Sequence, residues 1–550
     1  MSTLHQRFLW RTALLLAAMT PMLVLAQGNS DNAPGIGKVE IIQSAHHDHD
    51  FVLRNTVGKP VDPSYRKEAK PKRRVPYIDS PNFDADSAAQ LTHRRSPLAA
   101  TTANPNLGGS TGLDGKGMGF DGMGKGFTGF TVQYAPPDTT GAVGETQFVQ
   151  WVNASLTVFD KTTGKVTYGP VKGNTLFTGF GGACETSNDG DPIVMYDKMA
   201  KRWVLMQFAV PSGGPYYQCV AISKTSDATG AYDRYAFQYS GFNDYPKAGA
   251  WPDAYYITYN MFTPSTFGGA KVCALDRASM LAGSATVTQQ CFQLSTSYGG
   301  LLPADLDGSI LPTEGTPNFL MNLGSNKLNL WKFSVNWTTP ASSSLTGPTA
   351  IPVNAFNAAC GGGTCIPQGG TKKLLDSLAD RLMYRLAYRK FDDGHEALVV
   401  NHAVKVGSTS RNSYSATRWY EIRNPSGTPV VYQQSTYAPD STSRWMGSIA
   451  MDKMGNIALA YSASSSAMKP ALRYATRLAG DSANTLSNET TIIQGAGAQT
   501  GTYSRWGDYS HMSIDPADDC SFWYTSEYLK ADGSWNWNTR IASFKINGCE

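Results

Sequence analysis

Ser504 to Tyr528 reads SRWGDYSHMSIDPADDCSFWYTSEY. A polar entry (Ser504 to Tyr509) leads into an alternating segment, Ser510 to Ile514. An acidic turn at Asp515 to Asp519 follows, then a second apolar-rich segment from Cys520 to Tyr528. Alternation with period two on both sides of a tight turn predicts a β-hairpin. A tryptophan and charged groups stand at its mouth.

Working outward, the same design recurs. Entries occur at PPDTTG (Asp138), NDGD (Asp191), WPD (Trp251, Asp253), PADLDG (Asp305, Asp307), ADR (Asp380, Arg381), SRWMG (Arg444, Trp445) and SRWGD (Arg505, Trp506, Asp508). Each precedes an apolar strand, a turn and further strands. Small antiparallel units recurring about every 60 residues are the signature of a β-propeller, whose closed ring leaves few exposed edges. The expected fold is therefore all-β, a seven-bladed β-propeller over residues 126–550. The last unit shows three strands, so Gly126 to Tyr134 (GFTGFTVQY) is expected to close it as the outermost strand.

The rest of the chain frames this unit. Residues 1–26 combine a positive start (His5, Arg7, Arg11) with an apolar run and a small-residue site ending at Ala26, as in a bacterial export signal. No other long apolar segment follows, so no transmembrane segment is expected in the mature chain, and a secreted or periplasmic location is. Residues 27–125 read as an irregular, basic and glycine-rich arm and a candidate pro-segment. Within it AHHDHD, with His46, His47 and His49, reads as a solvated polar tail. The basic run RKEAKPKRR reads as linker.

Over 550 residues, 41% hydrophobic and 16% charged side chains describe a globular core, and 54 glycines with 27 tyrosines suit a turn-rich β protein. A net charge of +4 without a concentrated basic face does not argue for nucleic acid, and no nucleic-acid partner is expected. The eight cysteines of an exported chain favour disulfides. Proximity suggests Cys184 with Cys219, Cys273 with Cys291, Cys360 with Cys365 and Cys520 with Cys549. HExxH is absent, and GxSxG has no strand-then-helix context, so zinc protease and serine hydrolase chemistry have no support.

In a propeller the entry loops share one face of the ring. Asp138, Asp191, Asp253 and Asp380 converging there would repel one another. Two arrangements relieve this: arginine pairing, or a hard cation such as Ca²⁺ on those four carboxylates. Arg381, Arg444 and Arg505 form a candidate clamp for a substrate carboxylate or sulfate, and Trp251, Trp445 and Trp506 are candidate platforms for sugar rings. Glu527, Tyr509 and Asp508 are the candidate catalytic groups for a glycosidic bond. Equally, each SRW motif reads as an arginine packed on its neighbouring indole.

The combination PPDTTGAVG, WVNASLTVFDKTTGKV, YPKAGAWPDAYYITYN, MGSIAMDKMGNIALAYS and RWGDYSHMSIDPADDCSFWYTSEY resembles secreted bacterial proteins with a sialidase-like propeller, from Asp138 to the C-terminus. In sialidases this resemblance implies an arginine triad on the substrate carboxylate, a Tyr/Glu nucleophile pair and an Asp acid. The chain departs from that pattern: it has no repeated SxDxGxxW box, and its Arg, Glu and Tyr order does not map onto theirs. Two functions follow as expectations. One is a glycoside hydrolase or polysaccharide lyase acting as a monomer on an acidic extracellular glycan. The other is a non-catalytic lectin, adhesin or scaffold that binds glycan or protein.

Overall fold

The computed structural model describes residues 36–58, 67–68, 117–263, 265–407, 413–487 and 489–550. The expected export signal and most of the basic arm lie outside these residues. Among the described residues no helix is long and apolar enough to cross a membrane.

The architecture is all-β, a succession of antiparallel meanders. They cover residues 139–172, 193–239, 242–293, 302–352, 383–437, 443–493 and 511–545. The first strand of each touches the first strand of the next, and the last of these strands, His511–Ile514, returns to Thr139–Val143. The His511 ring secures that return: Nδ1 lies 3.3 Å from the Gly141 N–H and 3.2 Å from Thr140 Oγ1. In the 302–352 and 383–437 meanders the first strands also pair directly, in parallel, from Ala304↔Leu386 to Asp307↔Arg389. Nearly every residue of the first and second strands is buried, because neighbouring sheets pack on both of their faces.

The large indoles fill the space between sheets. Trp251 meets Phe319 and Tyr388 edge-on, and Trp445 lies 5.8 Å from Trp506. All three are fully buried, so none offers a platform to a ligand, contrary to the sequence expectation. Flat apolar rings are the side chains that gain most from filling such wedges.

Two further expectations are corrected. The strand paired with Trp537–Lys545 is Gly119–Asp121, not Gly126 to Tyr134. The latter carries left-handed glycines at 126 and 129 (φ 83° and 78°), which turn the chain out of an extended path. The arm is also not irregular throughout. Glu40–Gln43 pairs with Thr288–Gln293, and His46–Val52 pairs with Ala231–Tyr239, each as a fifth strand. The expected polar tail is thus an edge strand, tied down by Asp48 against the buried Arg234, as Glu40–Gln43 is by Glu40 against Lys271 at 2.6 Å.

The four disulfides are the pairs expected from proximity. They fit a chain that folds in an oxidising compartment.

Candidate active site

The entries to the first strands meet at one end of the ring, around a cavity of about 470 Å³. Asp138, Asp191, Arg381, Arg505 and Asp508 line it, as expected of entry loops. Asn153, Asp189, Asp244 and Asn260 join them, and Phe208, Tyr216, Phe242 and Tyr245 supply an aromatic wall.

The backbone at this rim is unusual. Asp138, Asn153, Asp191, Tyr245, Leu378 and Asp508 all line the cavity, and all have left-handed φ between 42° and 62°. Asp and Asn tolerate this conformation, whereas Tyr and Leu adopt it at a cost. Such strain concentrates where structure holds side chains for a task.

Asp138 is 3% exposed. Its Oδ2 accepts from Asn153 Nδ2, while Oδ1 has no hydrogen-bond partner. Burial, with Asp508 and Asp191 nearby, pushes its carboxyl well above the usual range. Asp191 Oδ2 accepts from the Tyr245 N–H at 3.2 Å, and burial together with Asp244 pushes this carboxyl to about 7. Asp508 is ion-paired with Arg505, whose Nε donates to Oδ1 at 3.1 Å. Arg381 is paired with its neighbour Asp380 at 2.9 Å and lies 4.5 Å from the Tyr245 ring.

Behind this wall sits Lys247, a residue the motif reading passed over. Its ammonium lies 3.6 Å from the Tyr245 ring centroid and 3.9 Å from that of Tyr509, and it donates to the Pro246 carbonyl at 2.9 Å. Burial lowers it to about 8, against the pull of Asp191, Asp138 and Asp508.

The remaining expected residues lie elsewhere. Tyr509 packs behind the cavity on Lys247 and Tyr245. Glu527 is buried, accepts from the Gly507 N–H at 2.7 Å and does not line the cavity. Arg444 is held in the 443–493 sheet by Glu489 at 2.6 Å and Asp440 at 3.0 Å, so three arginines do not converge. Asp253 belongs to the turn after the first strand Phe242–Ala250, at the opposite end of the ring, beside Tyr256 and Trp337. With Asp380 turned to Arg381, the four expected calcium ligands are not brought together, and no group of three or more metal-ligating side chains forms among the described residues.

No family model matches the chain, and no curated protein matches it. Among solved structures, a PL25 ulvan lyase described as a polysaccharide lyase is similar over 77% of this chain and 94% of its own, with 11% identity and a TM-score of 0.37. The WD40 domain of SCAP from fission yeast is similar over 73% and 82%, with 8% identity and a TM-score of 0.31. An endo-arabinase from Bacteroides thetaiotaomicron is similar over 54% and 95%, with 14% identity and a TM-score of 0.25.

Proposed function

We propose that the chain is an exported seven-bladed β-propeller, its last blade completed by Gly119–Asp121, that cleaves a glycosidic bond in the cavity at the entry end of the ring. Asp138 is the general acid and donates its proton to the leaving glycosidic oxygen. Asp508, held by Arg505, is the carboxylate that takes a proton from the attacking water. The observation that carries this reading is the contrast between these two aspartates in one cavity. Asp138 is buried with no ion-pair contact among the described residues and raised, whereas Asp508 is paired with a guanidinium. Carboxyls in such opposed environments divide the roles of acid and base. The aromatic wall suits the apolar face of a sugar ring, and the aspartates suit its hydroxyls.

The acidic-glycan clamp expected from the arginines loses its support. Arg381 and Arg505 are engaged by their own aspartates, and Arg444 is elsewhere.

The test is a screen of purified protein against neutral, basic and acidic polysaccharides for new reducing ends and unsaturated products. Asp138→Asn is expected to lower turnover by about 10²–10⁴-fold, the usual loss of a general acid. Assays with added Ca²⁺ and with a chelator address calcium, for which Asp138 and Asp191 are the expected ligands present in the cavity. No turnover on any substrate, with glycan binding that survives Asp138→Asn, sinks the catalytic reading and leaves a lectin-like propeller.

A further inference from the structure

The four disulfides differ in access. Cys184, Cys219, Cys273, Cys291, Cys520 and Cys549 are all buried, whereas Cys365 is exposed and Cys360 half-buried. Exchange needs a thiolate to reach a disulfide sulfur, so access decides which bond reacts first. The Cys360–Cys365 bond also constrains the unfolded chain least: it closes a sequence separation of 5, against 35, 18 and 29 for the others. The most open of the four is thus the one that folding needs least.

Its loop holds a costly backbone shape. Cys360, Gly361 and Gly362 are left-handed in succession, with φ of 56°, 58° and 77°, a conformation that a cysteine adopts at a cost. The cross-link keeps the carbonyls of Ala359 and Gly363 converged on Ser377. The Ser377 N–H donates to the Gly363 carbonyl at 2.9 Å. Its hydroxyl lies 2.9 Å from the same oxygen and 3.0 Å from the Ala359 carbonyl.

Ser377 leads directly into the cavity. Leu378, next in the chain, is left-handed (φ 46°) and lines the cavity together with Arg381. The hairpin of Thr364–Gln368 and Thr371–Asp376, which leaves from the cross-link, braces the other arginine. The Asp376 N–H donates to the Ser504 carbonyl at 2.8 Å. Gln368 Oε1 accepts from the Gln499 N–H at 2.8 Å, and Gln499 Nε2 donates to the Arg505 carbonyl at 3.0 Å. One cross-linked loop therefore stands at the root of both cavity arginines.

We propose that Cys360–Cys365 is a thiol–disulfide exchange site whose state sets the order of the cavity rim, with a protein dithiol as its co-reactant. A thiolate of the dithiol attacks Cys365 Sγ, the S–S bond breaks, and the electron pair leaves on Cys360 Sγ, which takes a proton from water. The second thiol, deprotonated, attacks its own partner sulfur in the mixed disulfide and releases Cys365 as a thiolate, which is protonated in turn. The chain gains two electrons and two protons, and the dithiol leaves as a disulfide. With the loop open, Cys360 relaxes from its left-handed conformation and Ser377 loses its fixed acceptors. Leu378 and Arg381 then lose their fixed place at the rim. This control acts on any cavity ligand, glycan or not.

The oxidised full chain treated with dithiothreitol provides the test. Timed alkylation with iodoacetamide and peptide mass spectrometry should find Cys360 and Cys365 reduced at least tenfold faster than the other six cysteines. In that partly reduced protein, amide hydrogen exchange should quicken at least tenfold in the peptide spanning Ser377 and Leu378, with His511–Ile514 unchanged. Oxidised glutathione should restore the slow exchange. The double variant Cys360→Ser, Cys365→Ser should exchange fast without reductant and should not respond to glutathione; should it fold poorly, the reduced native chain alone decides. Reduction of all four bonds at one rate overturns the exchange site. Selective reduction that leaves exchange at Ser377 and Leu378 unchanged overturns the control of the rim. Neither result bears on the glycosidic reading, because no sugar enters the measurement.

Discussion

The two ends of the ring use the same residue types to opposite effect. At the exit end of the first strands four carboxylates have a cation on them, while Asp253 and Asp452 there are instead raised to about 6 by burial. Asp307 is pinned by Arg385 and Lys198, Asp515 by Lys161 at 2.8 Å, Asp519 by Arg389 at 2.6 Å and Asp197 by Arg277 at 2.7 Å. Burial would raise the Asp307 carboxyl, but Arg385 and Lys198 together hold it well below the usual range. At the entry end Asp138 and Asp191 are buried beside other carboxyls and move upward instead. Paired charges lock neighbouring strands together, whereas unpaired ones store an unfavourable interaction that only a proton or a ligand relieves. One end is tied together as scaffold, and the other holds the proposed site.

The largest test of that contrast is Arg385→Met. The guanidinium is fully buried, donates to Asp305 at 2.9 Å and to the Met512 carbonyl at 2.9 Å, and pairs with Asp307. Removing it leaves buried Asp307 with Lys198 alone and should cost about 3–5 kcal/mol in urea unfolding at pH 7. Adding Asp307→Asn should recover part of the loss. A cost below about 1 kcal/mol would mean that the exit network is ornamental rather than structural.

The entry end should respond with the opposite sign, and more weakly. The Asp191 carboxyl sits near 7 in the folded chain, above its unfolded value, so the folded state holds this proton more tightly. That contribution is fully present below the unfolded pKa and is lost as pH rises through about 7. Asp191→Asn should therefore gain nothing at pH 3. At pH 8 it should gain on the order of 1–2 kcal/mol, a figure kept small because the side chain borders an open cavity. Matched unfolding curves at the two pH values check it, and equal stability at both contradicts the assignment.

How much of this was legible in the sequence follows from where the signal lies. The entries at Asp138, Asp191, Arg381 and Arg505 could be read because a polar cluster stands directly before an apolar strand. The 242–293 sheet defeated the same rule. Its first strand, FNDYPKAGA, contains Pro246, which argues against a strand, and the polar cluster legible in the sequence, WPD, lies one turn later. In the structure a register shift between Asp244 and Lys247 absorbs the proline and turns Tyr245 into the cavity rim. Asp253 was thereby placed at the wrong end, and Tyr245 and Lys247 were missed. The tryptophans misled for another reason: a burial wedge and a sugar platform call for the same side chain, and composition does not say which side of it is covered. The edge strand His46–Val52 was hidden because its pairing runs through backbone and ion pairs, with little hydrophobic alternation to reveal it.

Lys247 gives the finest test, because its buried ammonium acts on both Asp138 and Asp191. Its folded pKa, near 8, lies below the unfolded lysine value. The associated stability is thus present at high pH and is lost as pH falls through about 8. Lys247→Met removes that buried ammonium and should not weaken folding at pH 6. It also removes the attraction that holds Asp191 down, so the Asp191 carboxyl should rise by about one further unit. Carbodiimide labelling followed by peptide mass spectrometry reads this at Asp191 directly, without any substrate. Lys247→Arg keeps the charge and should leave the midpoint in place. If Met and Arg shift it equally, Lys247 merely fills space between Tyr245 and Tyr509, and the entry carboxyls are set by burial and by one another.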